Sequence, residues 1–438
     1  MFWVVKLLVL VLALIISYEN DHRVIALPPY TSIVVPVTKR TDAAKPLYSV
    51  EIMTASVNMR MMTVNFLIDI DAPFIWNDCI IISRAGSCPT NTVCAYPINC
   101  QGFLCSNVRT TYSYKIDPPS CPPLTNSSTL PGSGFCICPV NAVNPVTGSC
   151  AQPILNEEGF TANISNGRNV FSIAFNGVRL NAACATSSTF QSFPATVTGV
   201  LAISTSAYAI PNYLYDPLKR SFALCLPSTA SSSTPGVLFF GGGPYYLLPQ
   251  SDVDVRSYLS YTPLLNHPGS FGYFIRVDSI VIRFSSIAIP TNLATKLSTI
   301  DPYTALRTDI YNSLVRIISF YTIGVPRASP VAPFGLCFRT FLPLLLTAVP
   351  DIDLILPDGV KWTIYTSNSI IQVSRDVACL AFVDGGATLE HAIVIRTYQL
   401  EDNFLEFSLE NSTLGFSSSL LRRRTSCTNF NFTLTNSG

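Results

Sequence analysis

The distribution of cysteines constrains the fold of this chain more than any other sequence feature. The 438 residues contain 14 cysteines, an even number, and nine of them lie within residues 79–150. An even, dense set of cysteines is typical of a disulfide framework that forms in an oxidising compartment. The sequence therefore predicts an extracellular protein with a tightly cross-linked region in its first half.

Zinc binding is the alternative explanation for closely spaced cysteines. Only one residue separates Cys136 from Cys138, whereas a zinc knuckle usually has two residues between its cysteines. The whole chain has only three histidines. We therefore predict disulfides, with neither a metal nor another cofactor.

The N-terminal segment has the features of a secretory signal peptide. Residues 4–17 contain one lysine followed by an apolar core that is short for a membrane span. We assign residues 1–20 to this peptide; a retained anchor is the alternative, but no second apolar span follows, so we expect no membrane association after cleavage. Potential N-glycosylation sequons begin at Asn126, Asn163, Asn411 and Asn431.

Charge and length exclude some classes of protein. The net charge is +1, and only 12% of residues are charged, against about 25% in a typical protein. Such a chain has no basic field for nucleic acid and no acidic tail. Because 438 residues exceed one hydrophobic core, we expect two domains.

Apolar periodicity predicts a mainly β protein. Residues 273–282 alternate with period two, and residues 236–243 are typical of a buried strand that ends in a turn. One helix is predicted within residues 304–321, where apolar side chains recur at helical spacing. These side chains are Leu306, Ile310, Leu314 and Ile317.

Residues 69–79 keep the spacing of a catalytic turn without its chemistry. Trp76 follows Asp69 by seven residues and Cys79 follows it by ten. The first catalytic turn of pepsin-type aspartic proteases has the same spacing, with the Cys in plant members, but its Asp is followed by Thr-Gly-Ser. Here residues 70–72 are Ile-Asp-Ala, so the hydroxyl and the small residue of that turn are missing.

The second turn lacks its carboxylate. In pepsin-like enzymes a Thr, a Leu and a Tyr follow the second Asp by six, eight and thirteen residues. The same spacing from Thr304, Leu306 and Tyr311 leads back to Ser298. Two carboxylates must share one proton in this mechanism, so we predict that the chain is not an enzyme and that Asp69 and Ser298 are vestigial.

From residue 36 to the C-terminus the chain resembles the plant family of catalytically inactive pepsin-like proteins. This family includes the xylanase inhibitors, the extracellular dermal glycoproteins and the basic 7S globulins, and the resemblance is greatest to the endoglucanase-inhibiting dermal-glycoprotein branch. The blocks that carry it are residues 298–304, 332–338, 398–403, 414–421 and 427–433. The resemblance implies a two-lobed, pepsin-like fold and an apoplastic or cell-wall location.

The resemblance also suggests how the chain is divided. We expect a first lobe over residues 21–215, with cysteine-rich insertions, and a second lobe over residues 216–438. Residues 228–235 are rich in Ser and Thr and look like a linker, but the strands on either side pair in relatives, so we favour a long hairpin loop. A disulfide between Cys337 and Cys379 is implied in the second lobe.

Some family members inhibit microbial glycoside hydrolases by inserting second-lobe loops into the sugar cleft. A glycosidase cleft presents two carboxylates, and a guanidinium pairs with a carboxylate through two hydrogen bonds. Arg327, Arg423 and Arg424 match the positions that the glucanase-inhibiting branch uses, and we favour Arg327 because it lies beside a proline in its loop. The alternative is that these arginines only solubilise exposed loops.

His391 lies where xylanase-inhibiting relatives present a histidine to their target. An imidazole can bond to a catalytic carboxylate. We nevertheless favour the interpretation that His391 is an ordinary exposed loop histidine, while His22 and His267 suggest nothing specific.

Several residues depart from the family pattern. Asp71, Ala202 and Ser204 replace glycines, and Arg396 and Thr397 replace a Gly-Gly pair. Glycine is required where the backbone takes positive φ or passes close to another segment. We therefore expect local rearrangement, and an ion pair between Arg396 and Asp69 or Asp71.

Three functions are compatible with these observations. The first is a secreted inhibitor of microbial xylanases or endoglucanases, acting in plant defence. The second is a storage or peptide-binding globulin without inhibitory activity. The third is a residual aspartic protease, against which Ser298 argues.

Overall fold

The computed structural model of the chain describes residues 30–57, 60–113, 121–124, 128–214, 218–231, 233–250, 252–339 and 348–435. The predicted signal peptide (residues 1–20), the sequon at Asn126 and the predicted lobe boundary at Tyr215 and Asp216 lie outside these residues. Strands predominate, which confirms the mainly β prediction. None of the helices in this part of the chain is long and apolar enough to cross a membrane.

In the first lobe, five of the eleven strands have nine residues or more, and the others have two to six. The eleven strands are β1 (Ser32–Arg40), β2 (Leu47–Ala55), β3 (Met61–Asp69), β4 (Ile75–Asp78), β5 (Ile80–Ile81), β6 (Cys94–Ala95), β7 (Ala142–Val143), β8 (Cys150–Ala151), β9 (Ile154–Ser165), β10 (Val170–Ala185) and β11 (Val197–Ala202).

The strands of the second lobe have between two and five residues each. They are β12 (Ser221–Cys225), β13 (Gly236–Phe240), β14 (Ser260–Pro263), β15 (Phe274–Ile275), β16 (Ser279–Ile282), β17 (Ser285–Ala288), β18 (Thr295–Leu297), β19 (Thr304–Leu306), β20 (Arg327–Ala328), β21 (Cys337–Arg339), β22 (Ile352–Ile355), β23 (Lys361–Ile364), β24 (Ile370–Ser374), β25 (Val377–Leu380), β26 (Phe382–Asp384), β27 (Ile393–Ile395), β28 (Phe404–Ser408), β29 (Thr413–Phe416) and β30 (Leu434–Thr435).

Helices are few. The α-helices of the described residues are α1 (Phe103–Ser113), α2 (Thr308–Tyr321), α3 (Thr366–Ser369) and α4 (Thr397–Leu400).

One 13-stranded sheet continues through both lobes, in the order β14-β29-β28-β12-β13-β1-β9-β2-β3-β11-β4-β10-β30. The lobes join in this sheet where β1 pairs with β13, with Ile33 opposite Phe240. Every residue of β13 is buried, and Gly241 follows with a φ of 133°, so the buried strand and turn predicted for residues 236–243 are confirmed. A strand covered on both faces has a continuous apolar sequence because neither face meets water.

The helix predicted within residues 304–321 begins later than expected. Residues 304–306 form β19, which lies between β27 and β26, and α2 starts only at Thr308. Leu306 therefore belongs to a strand, where it lies opposite Ile393. Ile310 and Leu314 are buried on α2, as their spacing predicts.

The strand predicted over residues 273–282 is divided between two sheets. Its first part, β15, pairs with β18, whereas its second part, β16, pairs with β17 and β22. Residues 276–278 are not in a strand. The period-two pattern changes phase at this break: Ile275 and Val277 are buried on either side of exposed Arg276, whereas the buried residues of β16 are Ile280 and Ile282.

All 14 cysteines form disulfides, and each disulfide joins two cysteines of the same lobe. The pairs are Cys79–Cys184, Cys88–Cys94, Cys100–Cys136, Cys105–Cys138, Cys121–Cys150, Cys225–Cys427 and Cys337–Cys379. Eight of the nine crowded cysteines thus pair with one another, and Cys79 joins that region to the end of β10 at Cys184. The region is a cross-linked unit on the first lobe.

The two turns that are predicted to be vestigial begin at comparable points of the two lobes. Asp69 is the last residue of β3, which runs parallel to β11 and places Asp69 opposite Ala202. Ser298 directly follows β18, which runs parallel to β27. The backbone N–H of Ser298 donates to the carbonyl oxygen of Ile395 at 2.9 Å. Each turn therefore starts from the end of a parallel strand pair.

Candidate functional site

Asp69 is buried at the bottom of the cleft between the lobes, with 6% of its surface exposed. Its Oδ1 atom accepts a hydrogen bond from the backbone N–H of Asp71 at 2.8 Å. Burial, helped by the negative charge of Asp71, raises the pKa of Asp69 from 3.8 to about 6. The carboxyl group is thus mainly protonated below about pH 6 and mainly ionised above it.

The second turn presents the hydroxyl groups of Ser298 and Thr299. Ser298 lines the cleft together with Asp69, and its Oγ atom accepts from the N–H of Ile300 at 3.4 Å. The next residue, Thr299, connects the turns: its Oγ1 atom donates to the carbonyl of Ile68 at 2.8 Å and accepts from the N–H of Ile70 at 3.4 Å. Ile70 has no hydroxyl group, so it cannot return this contact to the second turn.

Asp71 is held by the second lobe. Its Oδ2 atom forms an ion pair with Lys296, and its Oδ1 atom accepts from the hydroxyl of Ser270 at 2.9 Å. Gly272 lies beneath this contact, since a Cβ atom at that position would come within 2.7 Å of Asp71 Oδ1. The residue that replaces a glycine in the first turn therefore has partners across the cleft.

The predicted ion pair between Arg396 and Asp69 or Asp71 is wrong. Arg396 pairs instead with Asp301, at 3.1 Å between Nη2 and Oδ2, and donates from Nη1 to the carbonyl of Tyr303 at 3.2 Å. The physical reason is that Asp301 lies on the turn after Ser298, in the same lobe as Arg396. Asp71 is already neutralised by Lys296.

The other departures from the family pattern are accommodated by packing. Ala202 is fully buried, and the hydroxyl of Ser204 donates to the carbonyl of Ala72 at 2.7 Å. Thr397 Oγ1 donates to the carbonyl of Asp301 at 3.2 Å. These side chains fill space and satisfy backbone groups around the two turns.

The cleft has a volume of about 460 Å³ and mixes charged, aromatic and apolar side chains. His267 and His391 lie on its second-lobe side, with their rings 5.2 Å apart, and both rings contact Phe274. Within the described residues no three His, Cys, Asp or Glu side chains are close enough together to hold a metal ion.

The expectation that His391 is an exposed loop histidine is wrong. Only 8% of its surface is exposed, because it packs against both His267 and Phe274. Burial lowers the pKa of His391 below its usual range, although the nearby charge of Glu390 opposes this shift. His391 lines the cleft, so a partner can reach it only by entering there.

Arg327 is exposed, but its guanidinium is engaged with α2. Nη2 donates to the carbonyl of Ser319 at 2.9 Å and to Oγ1 of Thr322 at 3.0 Å. Its Cζ atom lies 4.7 Å from the ring centre of Phe338. Partial burial lowers the pKa of Arg327. The side chain thus caps the C-terminal end of a helix, where a cation is favourable.

Arg423 and Arg424 are exposed and form no ion pair with any described carboxylate. They end a short 3₁₀ helix, Leu420–Arg423, and Arg424 has a left-handed φ of 58°. Arg423 lies 5.1 Å from the ring centre of Tyr258. Directly after them, Thr425 is buried and Cys427 is disulfide-bonded to Cys225.

The remaining predicted positions differ in exposure. Cys337 and Cys379 lie opposite each other on β21 and β25 and are disulfide-bonded. The sequon residues Asn411 and Asn431 are exposed, whereas Asn163 lies on β9 and is half-buried.

Sequence reasoning did not identify Lys296, Thr299 or His267 as residues of this site. Thr299 had a signal, because it follows the vestigial Ser298. Lys296 and His267 had no local signal in the sequence. Their roles depend on contacts with Asp71 and His391, which are distant along the chain.

Two family models match the chain. The model described as "Xylanase inhibitor N-terminal" matches residues 52–242, and the model described as "Xylanase inhibitor C-terminal" matches residues 272–418. Together they cover more than half of the chain.

Several known plant proteins, which carry different names from one another, are similar to this chain in sequence. Gamma conglutin 1 of Prunus dulcis is 37% identical over 351 residues, which cover 75% of this chain and 80% of that protein. Chitinase CLP of Oryza sativa subsp. japonica is 33% identical, with 92% of each chain covered. The probable aspartic proteinase GIP2 of Nicotiana benthamiana is 32% identical, again with 92% of each chain covered.

A protein of known structure has a fold similar to that of this chain. The crystal structure of edgp matches with a TM-score of 0.75 and 32% identity, covering 93% of this chain and 100% of that chain. The expected two-lobed, pepsin-like fold is therefore confirmed. Together, the family models, the relatives and the solved structure show that the chain belongs to the plant family of xylanase inhibitor-like, EDGP and 7S globulin proteins.

Proposed function

We propose that this protein is a secreted, non-proteolytic inhibitor of microbial glycoside hydrolases that acts in plant defence. Its family is named for xylanase inhibitors, and such inhibition is an interaction between two proteins. The observation that carries the proposal is the pair Arg423 and Arg424, which is exposed in the second lobe without an acidic partner among the described residues.

The chemistry of a glycosidase cleft matches these arginines. Two carboxylates flank the scissile bond of most glycoside hydrolases, and a guanidinium forms two parallel hydrogen bonds with a carboxylate. Thr425 donates to the carbonyl of Leu248 at 2.5 Å, and the disulfide of Cys427 lies two residues further on. A loop anchored in this way loses little conformational entropy on binding, which favours affinity.

We assign Arg327 a smaller part in the contact than the sequence suggests. Its guanidinium already bonds to the end of α2, so a new bond to a partner carboxylate must compete with these contacts. Arg327 holds its loop against the helix, while Arg423 and Arg424 contribute the free charges.

We infer that the chain does not act as a protease, although one relative is named a probable aspartic proteinase. Catalysis of that type requires two carboxylates that share a proton and activate a water molecule. Ser298 contributes a hydroxyl where the second carboxylate belongs, and Asp71 is neutralised by Lys296. Purified protein is therefore expected to leave a denatured protein substrate intact between about pH 3 and 5.

The double substitution Arg423→Ala with Arg424→Ala tests the inhibitor proposal. Loss of a desolvated interface arginine typically costs about 2 kcal/mol or more, so inhibition of a sensitive endoglucanase or xylanase should weaken at least ~10-fold. The inhibition constant is measured against a panel of secreted microbial enzymes. Arg179→Ala is the matched control, since Arg179 is 82% exposed in the first lobe.

Two results would contradict the proposal at different levels. If the unmodified protein inhibits no enzyme of the panel, the inhibitor function is wrong. If it inhibits but the double variant is as potent as the unmodified protein, the class of function stands and the arginine contact is wrong.

A storage or peptide-binding globulin is the second candidate. The 37% identity to gamma conglutin 1 favours it, as does a cleft of about 460 Å³ that mixes charged and aromatic side chains. Isothermal titration with extended peptides distinguishes the candidates, because a globulin of this kind binds peptide and leaves glycoside hydrolases active.

A further inference from the structure

An exposed apolar surface lies at the C-terminal end of α2 and on the β16–β17 turn. Phe320 is 70% exposed, Ile323 is 86% exposed and Phe284 is 99% exposed. Large apolar side chains of a monomeric protein are rarely so exposed next to one another, and such clusters often mark interaction sites.

Tyr321 connects the two segments that carry these three side chains. Its ring lies 5.4 Å from the ring of Phe320, centre to centre. Its hydroxyl accepts from the backbone N–H of Phe284 at 3.4 Å and lies 3.3 Å from the hydroxyl of Ser285. Ile323 follows Tyr321 by two residues, so Phe284, Phe320 and Ile323 are all exposed close to this one tyrosine.

Arginines surround the apolar centre. Arg283 lies 5.2 Å from the ring centre of Tyr321, and Arg327 bonds to Ser319 and Thr322 at the helix end. Arg316 is exposed one helical turn before Phe320. None of these three arginines pairs with a carboxylate of the described residues. We call this set the α2 surface: Arg283, Phe284, Arg316, Phe320, Ile323 and Arg327.

The composition of the α2 surface matches the centre of a protein interface. Aromatic residues and arginine are enriched there, and a few buried aromatic anchors provide most of the binding energy. The uncompensated positive charge favours an acidic partner and disfavours a second copy of this chain, whose same surface is equally basic.

We propose that the α2 surface is a docking site for the acidic rim of a glycoside hydrolase cleft. This inference rests on the proposed inhibitory function and deepens it, because it adds an apolar anchor to the charged contacts of Arg423 and Arg424. Arg327 belongs to the α2 surface and is also one of the proposed contacts, so the apolar anchor adjoins a charged contact. Phe320 and Ile323 are the anchoring side chains, and Arg283 and Arg316 steer the acidic partner.

The double substitution Phe320→Ala with Ile323→Ala tests the docking site. Both side chains are exposed, so the variant should fold normally, which thermal unfolding checks. Binding to the inhibited endoglucanase or xylanase of the panel, measured by surface plasmon resonance, should weaken at least ~10-fold, mainly through faster dissociation. Phe103→Ala is the matched control, because Phe103 is 85% exposed on α1 of the first lobe.

A second variant tests the steering charges. Arg283→Ser with Arg316→Ser should slow association and flatten its dependence on salt, with little change in dissociation. Phe284→Ala should weaken binding in the same direction as the Phe320 and Ile323 variant.

The outcomes separate this inference from the proposed function. If the unmodified protein inhibits an enzyme and the Phe320 and Ile323 variant binds that enzyme equally well, the docking site is wrong and the inhibitory function stands. If this variant and the Phe103 variant lose the same affinity, the effect is not specific to the α2 surface and the inference is also wrong. If no enzyme of the panel binds, both the function and its docking site are overturned.

Discussion

The carboxyl group of Asp69 is buried in the cleft without a cation of its own. Asp69 ends β3 and accepts the N–H of Asp71, whereas the nearby lysine pairs with Asp71. A buried carboxyl group without a cation of its own favours its protonated form. The negative charge of Asp69 therefore destabilises the folded state at neutral pH.

Replacement of Asp69 by Asn should stabilise the protein at neutral pH. Folding raises the pKa of Asp69 to about 6, so the folded state keeps a proton that the unfolded state releases near pH 4. The free energy of unfolding therefore falls as the pH rises from about 4 to about 6. The Asn variant avoids this loss, because its amide oxygen can still accept the N–H of Asp71. At pH 7.5 it should be more stable by on the order of 2 kcal/mol, and at pH 4 it should be nearly equal.

Chemical denaturation at both pH values measures this difference. Asp252→Asn is the control, since Asp252 is 88% exposed and should show no gain that depends on pH. An Asp69→Asn variant with the same stability difference at pH 4 and pH 7.5 would show that this carboxyl group is not ionised against a burial cost.

Residue-level prediction from sequence succeeded where the signal is local and failed where it is not. The spacing from Asp69 to Trp76 and Cys79 located a turn that the structure places at the end of β3. The partner of Arg396 was wrong because Asp301 and Asp71 are equally plausible acids in a sequence. Only the fold decides which of them is near.

At the scale of secondary structure elements, α2 depends on contacts that its own sequence does not contain. Apolar spacing predicted the helix from Ile310 onward, since Ile310 and Leu314 are buried on one side. It failed at Leu306 because a strand position between β27 and β26 overrides local propensity. The C-terminal end of the helix is likewise completed from outside, by Arg327.

Arg327→Ala should destabilise the protein even where no partner is present. The substitution removes hydrogen bonds to Ser319 and Thr322 and a cation at a helix C-terminus, so the free energy of unfolding should fall by about 1 kcal/mol. Arg316→Ala is the control, because Arg316 lies exposed on α2 itself and has no such bonds among the described residues, and its loss should be smaller. A variant as stable as the unmodified protein would show that Arg327 is free for other contacts.

At the scale of the whole molecule, the lobes are connected by polar contacts as well as by the shared sheet. Asp301 of the second lobe pairs with Lys45 of the first, and Thr299 bonds to the backbone on both sides of Asp69. Asp71 is held by Lys296 and Ser270 in the opposite direction. These contacts hold the two lobes together around the turns that begin at Asp69 and Ser298.

A buried ion pair beside the shared sheet gives the last prediction. Lys39 of β1 bonds to Glu401 of the second lobe at 2.8 Å, and the hydroxyl of Tyr48 donates to the same carboxyl oxygen at 2.6 Å. The side chains of Lys39 and Glu401 are only 13% and 7% exposed. Burial raises the pKa of Glu401 to about 7, although Lys39 opposes the shift. Glu401 is therefore mainly ionised above pH 7 and mainly protonated below it.

Lys39→Met should cost more stability at pH 8 than at pH 5.5. At pH 8 the variant leaves Glu401 either as an unpaired buried charge or as an acid that must take up a proton, and the loss should be roughly 2 kcal/mol. At pH 5.5 the carboxyl group is already mostly neutral, so less attraction is lost. Lys361→Met is the control, since its pair with Asp353 is more exposed and should contribute less than about 1 kcal/mol at either pH. An equal loss at both pH values for Lys39→Met would mean that packing of the lysine stem, rather than its charge, connects the lobes at this point.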